Sequence, residues 1–73
     1  MRLTYDRQAD AAYLYLKEGM KAGESARTVV CHVDLHGASI HLDFDSEDRL
    51  IGVEVLGASR IMQREALQRA DAP

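Results

Sequence analysis

Apolar and polar residues alternate along much of the chain with a period of two, the pattern of β-strands that have one buried face. The clearest case places Ile40, Leu42 and Phe44 between polar residues. A second alternating run covers 50–56. Because only the short acidic turn at 46–48 separates the two runs, the sequence predicts a β-hairpin here.

Three further segments have strand-like patterns. Residues 3–5 alternate, and 11–16 are all apolar, with two tyrosines at i and i+2. A buried helical turn is an alternative for 11–16, but the tyrosines and the flanking turns favour a strand that is buried on both faces and lies inside the sheet. The segment 27–34 is apolar in its middle and predicts a strand with three residues on one face: Val29, Cys31 and Val33.

The period changes after Gly57, where apolar residues recur at helical spacing and Ser59 is of the residue type that caps helices. We therefore predict a single domain over 1–73 of the α+β class. It consists of a small, mostly antiparallel sheet of four to five strands in 1–56 and one C-terminal helix in 57–70.

The short length of the chain indicates self-association. A chain of 73 residues forms a small core, and Cys31 is its only cysteine, so no internal disulfide can stabilise it. Domains of this size commonly gain stability from a partner, most simply a second copy. One short helix cannot cover both faces of the sheet, so we predict that Tyr13 and Tyr15 are interaction residues on an apolar face that the helix leaves open.

Charge and composition narrow the function further. The net charge is −3, whereas proteins that bind nucleic acid across their surface are normally basic, so nucleic acid is not an expected partner. No apolar run approaches the length of a membrane helix, and the first residues do not resemble a signal peptide. With its lone cysteine, the chain is expected to be cytoplasmic.

Two motifs carry a resemblance to a known family. The first covers 5–16 and reads Tyr-Asp-x-x-Ala-Asp-Ala-x-Tyr-x-x-Leu; the second covers 52–59 and reads Gly-Val-Glu-Val-Leu-Gly-Ala-Ser. With them the chain resembles a family of small, mostly bacterial proteins catalogued as domain of unknown function 2283. It departs from the family pattern at Asp48, where a glycine would sit in the hairpin turn. An aspartate tolerates the left-handed conformation better than most residues, so we expect the turn to survive.

The resemblance implies no catalytic residues. Some family members lie beside small proteins that resemble ribonuclease toxins, which implies an antitoxin-like role.

Two sets of residues have the chemistry of metal ligands. Carboxylates suit magnesium or calcium, and the candidate acids are Asp6, Asp10 and Glu54. Imidazoles suit zinc, and the candidate histidines, beside Cys31, are His32, His36 and His41. For the two aspartates we favour a structural role, because turn carboxylates usually accept backbone N–H groups. The histidine spacing matches no standard zinc pattern. We therefore predict no metal, no cofactor and no catalytic residue.

The favoured function is a non-enzymatic protein-interaction module that is homodimeric and serves as an antitoxin-like partner of a small basic protein. The alternative is a small metal- or ligand-binding domain that uses the acids or the histidines above. A third hypothesis is a DNA-binding regulator that uses Arg60 and Arg64, four positions apart on the predicted helix.

Overall fold

A computed structural model describes residues 1–32 and 34–73. Its elements, in chain order, are β1 (Arg2–Asp6), β2 (Ala11–Tyr15), β3 (Arg27–Val30), β4 (Ser39–Phe44), β5 (Leu50–Leu56), a 3-10 turn (Ala58–Arg60) and α1 (Arg64–Arg69). The strands form one antiparallel sheet in the order β1-β2-β5-β4-β3. The predicted α+β class is therefore confirmed. No helix in the described ranges is long and apolar enough to cross a membrane.

The hairpin turn between β4 and β5 forms as predicted. Asp48 has φ 60, so an aspartate does take the left-handed conformation. The carboxylate of Asp45 stabilises this turn by accepting the amides of Glu47 and Arg49 at 2.9 and 3.0 Å. β5, which follows the turn, lies at the centre of the sheet between β2 and β4.

The register gives the sheet one apolar face, which we call the core face. Directly paired residues of antiparallel strands share a face. One apolar row crosses all five strands, in the order Leu3, Leu14, Val53, Leu42 and Val29. The C-terminal segment packs on the β1 side of this face, where Ala12, Ala58 and Leu67 are buried and contact Leu3, Tyr5, Val55 and Met62. At the β3 end, Val29 remains 37% exposed.

The predicted helix over 57–70 is partly wrong. Only Arg64–Arg69 is α-helical, and Ala58–Arg60 forms a separate 3-10 turn. Ser59 does not cap a helix, because its amide and hydroxyl both donate to Asp10, 49 residues earlier in the chain. This long-range contact holds the chain in a tight turn against the sheet, so the helix begins only at Arg64.

The strand predicted within 27–34 is shorter than expected. β3 ends at Val30, and all four of its residues are exposed. Cys31 is half-buried and follows the strand, and Val33 lies outside the described residues. β3 is an edge strand.

Candidate interaction surfaces

The two sequence motifs meet at Asp10, immediately before β2. Its carboxylate accepts the Tyr5 hydroxyl at 2.6 Å and the Ser59 amide and hydroxyl at 2.9 and 2.7 Å. Its carbonyl oxygen accepts the amides of Gly57 and Ala58 at 2.9 and 3.0 Å. Asp10 therefore joins the β1–β2 turn to the segment after β5.

These contacts stabilise the ionised form of Asp10. The Tyr5 hydroxyl, followed by the hydroxyl and amide of Ser59, holds the pKa of this carboxyl below its ordinary value. Asp6 accepts the amides of Gln8 and Ala9 at 3.0 and 3.2 Å, and so closes the same turn. Asp6 thus has the backbone-capping role expected of a turn carboxylate, whereas the structural role of Asp10 is to bind the distant Ser59.

The opposite face of the sheet, which we call the polar face, is organised around Tyr13. Its hydroxyl passes over Gly52 and donates to Asp43 at 2.5 Å, and Thr28 donates to the other oxygen of Asp43 at 2.6 Å. A Cβ on Gly52 would overlap the Tyr13 ring and hydroxyl. The glycine is therefore required by the close approach of a tyrosine. A glycine inside a strand often marks either such an approach or a bulge.

The protonation of this cluster is fixed near neutral pH. Burial raises the pKa of Asp43, but hydrogen bonds from Thr28, Tyr13 and Ser25 outweigh it and hold the pKa below its ordinary value. Burial, and then the neighbouring Asp43, raise the pKa of Tyr13 well above its usual range. The pair is a protonated phenol that donates to an ionised carboxylate, and this hydrogen bond links β2 to β4 across the face.

Tyr13 and Tyr15 lie on the face opposite the helix, with ring centroids 4.6 Å apart at 51°. The description of this face as apolar is wrong. Glu54 is directly opposite Tyr13 in the register and pairs with His41, whose Nδ1 lies 3.1 Å from the glutamate Oε1. Arg2 lies over the Tyr15 ring at 5.6 Å. The surface is therefore aromatic with a border of acidic and basic side chains, and the interaction role of the tyrosines stays a prediction.

The candidate ligands of the alternative hypothesis are the acids Asp6, Asp10 and Glu54 and the histidines His32, His36 and His41. In residues 1–32 and 34–73, no group of three or more His, Cys, Asp or Glu side chains is placed to hold a metal ion.

The predicted pairing of Arg60 and Arg64 on one helix is also wrong. Arg60 belongs to the 3-10 turn and donates to the carbonyl of His36 at 3.2 Å, whereas Arg64 begins α1. Arg64 instead shares a surface depression of about 490 Å³ with Arg7. The other residues that line it are Tyr5, Ser59, Met62, Leu67 and Gln68.

The β1 edge of the sheet is covered by the chain itself. The Tyr5 amide donates to the carbonyl of Asp71, and the Asp71 amide donates to the carbonyl of Leu3, both at 2.9 Å. Asp71 thereby forms a parallel bridge with Thr4, which is 4% exposed. The outward carbonyl of Leu3 and the outward amide of Tyr5 are therefore already paired.

The β3 edge differs, because no segment of the described chain pairs with its outer side. The Cys31 amide donates inward to the carbonyl of Ile40. Since backbone groups alternate along a strand, Val29 also faces β4, and the amides and carbonyls of Thr28 and Val30 point outward. Val30 is 43% exposed. This edge presents two donors and two acceptors to a further strand.

The only charged side chain of β3 does not guard this edge. The Arg27 guanidinium lies over the Phe44 ring at 5.0 Å and 3.2 Å from an oxygen of Asp48. Both contacts draw it back over its own sheet, away from the outer side of the strand. Natural edge strands are commonly protected by a charge or a proline, and β3 presents neither at its outward positions.

Fold and surfaces together define a small α+β domain with one covered and one open sheet edge. The family described as "Protein of unknown function (DUF2283)" matches residues 2–59, so the chain belongs to this family, as predicted. No curated protein and no solved structure matches the chain.

Proposed function

We propose that this protein is a non-enzymatic interaction module that works as a homodimer, assembled through β3. The observation that carries the proposal is the contrast between its edges. Asp71 covers β1, whereas no segment of the described chain pairs with the outward backbone groups of Thr28 and Val30, which lie beside exposed apolar side chains. An unguarded edge of this kind is a template for a further strand. A reducing, cytoplasmic setting suits its free thiol, Cys31.

Sedimentation velocity of wild type and Val30→Pro tests this assembly. The Val30 amide points away from β4, so proline removes an outward donor and leaves the β3–β4 hydrogen bonds in place. We expect the wild type to approach twice the 8.1 kDa chain mass as concentration rises. We expect the variant to stay monomeric with little change in melting temperature. A wild type that remains monomeric at about 0.5 mM, beyond the range of ordinary specific association, would contradict the proposal.

The same proposal assigns the polar face to a second partner, a small basic protein towards which this module acts as an antitoxin does. Asp43 and Glu54 give the face negative charge, and Tyr13 and Tyr15 supply aromatic area of the kind that anchors interfaces. Native mass spectrometry of protein purified gently from its host should find a stoichiometric heterocomplex. Tyr15→Ala should weaken it while the Tyr13 contact with Asp43 keeps the sheet intact. If only homodimer is found, this second role fails.

Small-ligand binding is the second candidate, and the depression between Arg7 and Arg64 is the observation that favours it. Neither guanidinium forms an ion pair within the described residues, and Met62 and Leu67 provide an apolar floor. The site suits a carboxylate or phosphate joined to an apolar group. Titration with phenyl phosphate, followed by amide NMR, should give saturable shifts that Arg64→Gln abolishes and Arg69→Gln preserves. Shifts that do not saturate would exclude this function.

A further inference from the structure

We infer that two copies join through β3 in one particular register, as antiparallel partners with Val29 on the twofold axis. This inference rests on the proposed homodimer and specifies its geometry. Three observations support it: β3 is the open edge, the backbone groups of Thr28 and Val30 point outward, and the possible registers differ in how many of these groups they pair.

The covered edge limits the assembly to two chains. A head-to-tail contact between β3 of one copy and β1 of the next would continue without closing. Asp71 blocks this contact, because its backbone already lies along the outer side of β1 and pairs with the outward carbonyl of Leu3 and the outward amide of Tyr5. Pairing of β3 with β3 is therefore the remaining edge-to-edge contact, and it closes after a single twofold rotation.

The outward groups then select the register. Antiparallel strands exchange two hydrogen bonds wherever residues with outward backbone groups are opposite each other. With Val29 on the axis, Thr28 of each copy is opposite Val30 of the other, and all outward donors and acceptors of β3 are used. With Thr28 on the axis, Val30 is opposite Ala26, whose amide is already bonded to the carbonyl of Phe44. With Val30 on the axis, Thr28 is opposite His32, which lies beyond the strand.

The side chains agree with this register. The two Val29 side chains meet on the core face, so the apolar row that ends at Val29 continues into the row of the second sheet. Arg27 is opposite Cys31 of the second copy rather than another arginine, so no like charges face each other. The two five-stranded sheets become one continuous sheet, and both polar faces stay accessible.

Cysteine cross-linking tests the register, since each of the three registers places a different residue opposite itself. In a Cys31→Ser background, Thr28→Cys, Val29→Cys and Val30→Cys are oxidised separately with glutathione disulfide and resolved on non-reducing gels. Paired residues without mutual backbone hydrogen bonds have Cα atoms about 4.5 Å apart, within disulfide range. We expect Val29→Cys to form covalent dimer at least about tenfold faster than the other two, because only its thiol meets its own copy. Leu42→Cys, in the same apolar row but away from the edge, controls for collisions.

Sedimentation of each variant under reducing conditions separates the possible failures. If the reduced variants are dimeric but Val29→Cys does not cross-link fastest, the register is wrong and the homodimer stands. If wild type and variants are all monomeric, the register and the proposed homodimer both fail.

Discussion

The two edges of the sheet are both short antiparallel strands, yet their outer sides are covered differently. At β1, Asp71 supplies a backbone donor and an acceptor, and the neighbouring Thr4 is almost completely buried. At β3, the outward groups of Thr28 and Val30 have no partner in the described chain, and Arg27 is drawn back over Phe44. One edge of the sheet is thus partly paired in cis, and the other has no cover from the described chain. In the dimer that we propose, the open edges pair with each other and the assembly closes after one twofold rotation, whereas a contact between the two kinds of edge would continue as a fibre.

The largest loss of stability is expected from a change in β5, the central strand that connects the two halves of the sheet. Gly52→Ala places a methyl group where the Tyr13 ring and hydroxyl lie, which displaces the tyrosine from Asp43. Overpacking of this kind costs about 2–3 kcal/mol of unfolding free energy. Urea denaturation should show this loss. Gly52→Ala with Tyr13→Ala should recover part of it, and a Gly52→Ala protein as stable as wild type would show that Tyr13 does not depend on the glycine.

A charge on the open edge should weaken dimerisation strongly. Val29→Lys places an ammonium group opposite its own copy at the twofold axis, and we expect at least about a 30-fold weaker dimer from like-charge repulsion and lost apolar contact. The monomer should be little affected, because a lysine stem can lie along the apolar row. Sedimentation velocity measures the change. Leu50→Lys, at a similarly exposed position on β5, is the matched control and should dimerise as the wild type does.

Removing the Asp71 bridge from the β1 edge should lower the unfolding free energy by a smaller amount. Asp71→Pro removes the amide that donates to the Leu3 carbonyl, and Ala70 before it already has the extended conformation that a following proline favours. We expect a loss of about 1 kcal/mol in unfolding free energy and the appearance of species larger than the dimer.

Asp71→Ala controls for the side chain at this position. It removes only the exposed ion pair with Arg2, so it should change stability by less than about 0.5 kcal/mol. Equal effects of alanine and proline would show that the backbone bridge does not protect this edge.

Low pH should lower the folding stability of the sheet, because it protonates Asp43 on β4, between the two edges. Hydrogen bonds hold the pKa of Asp43 below its ordinary value despite the opposing effect of burial, so the unfolded chain binds a proton more readily at this group. Its contribution is fully present above the usual carboxyl pKa of about 4 and is lost as pH falls through the lower folded value. Thermal melts between neutral pH and acid should show this decline. The Asp43→Asn variant should be less stable than wild type at neutral pH, and its melting temperature should fall less as the pH is lowered. If its melting temperature falls with pH as much as that of the wild type, the decline does not come from Asp43.

Local patterns were sufficient to predict most of the sheet. Strict alternation identified β4 and β5. The residue that receives the Tyr13 hydroxyl, Asp43, lies 30 positions away on a strand that is not adjacent to β2, so no local spacing connects them.

The errors arose where distant contacts override local preference. Ser59 has the residue type of a helix cap, but Asp10 binds it across 49 positions and delays the helix. The open edge was missed for a similar reason. Which strands become edges depends on the order in which all five pair, and the apolar residues of β3 suggest a buried strand when they are considered alone.

Amide hydrogen exchange of the wild type, measured by NMR at several protein concentrations, tests the difference between the edges most directly. The Tyr5 amide, bonded to Asp71, should be protected at every concentration. We predict that the amides of Thr28 and Val30 exchange freely in dilute protein and become protected as the dimer forms, while Val29, which faces β4, changes little. If Thr28 and Val30 exchange freely in a sample that is dimeric by sedimentation, β3 is not where the two copies meet, and the proposed assembly through this edge is contradicted.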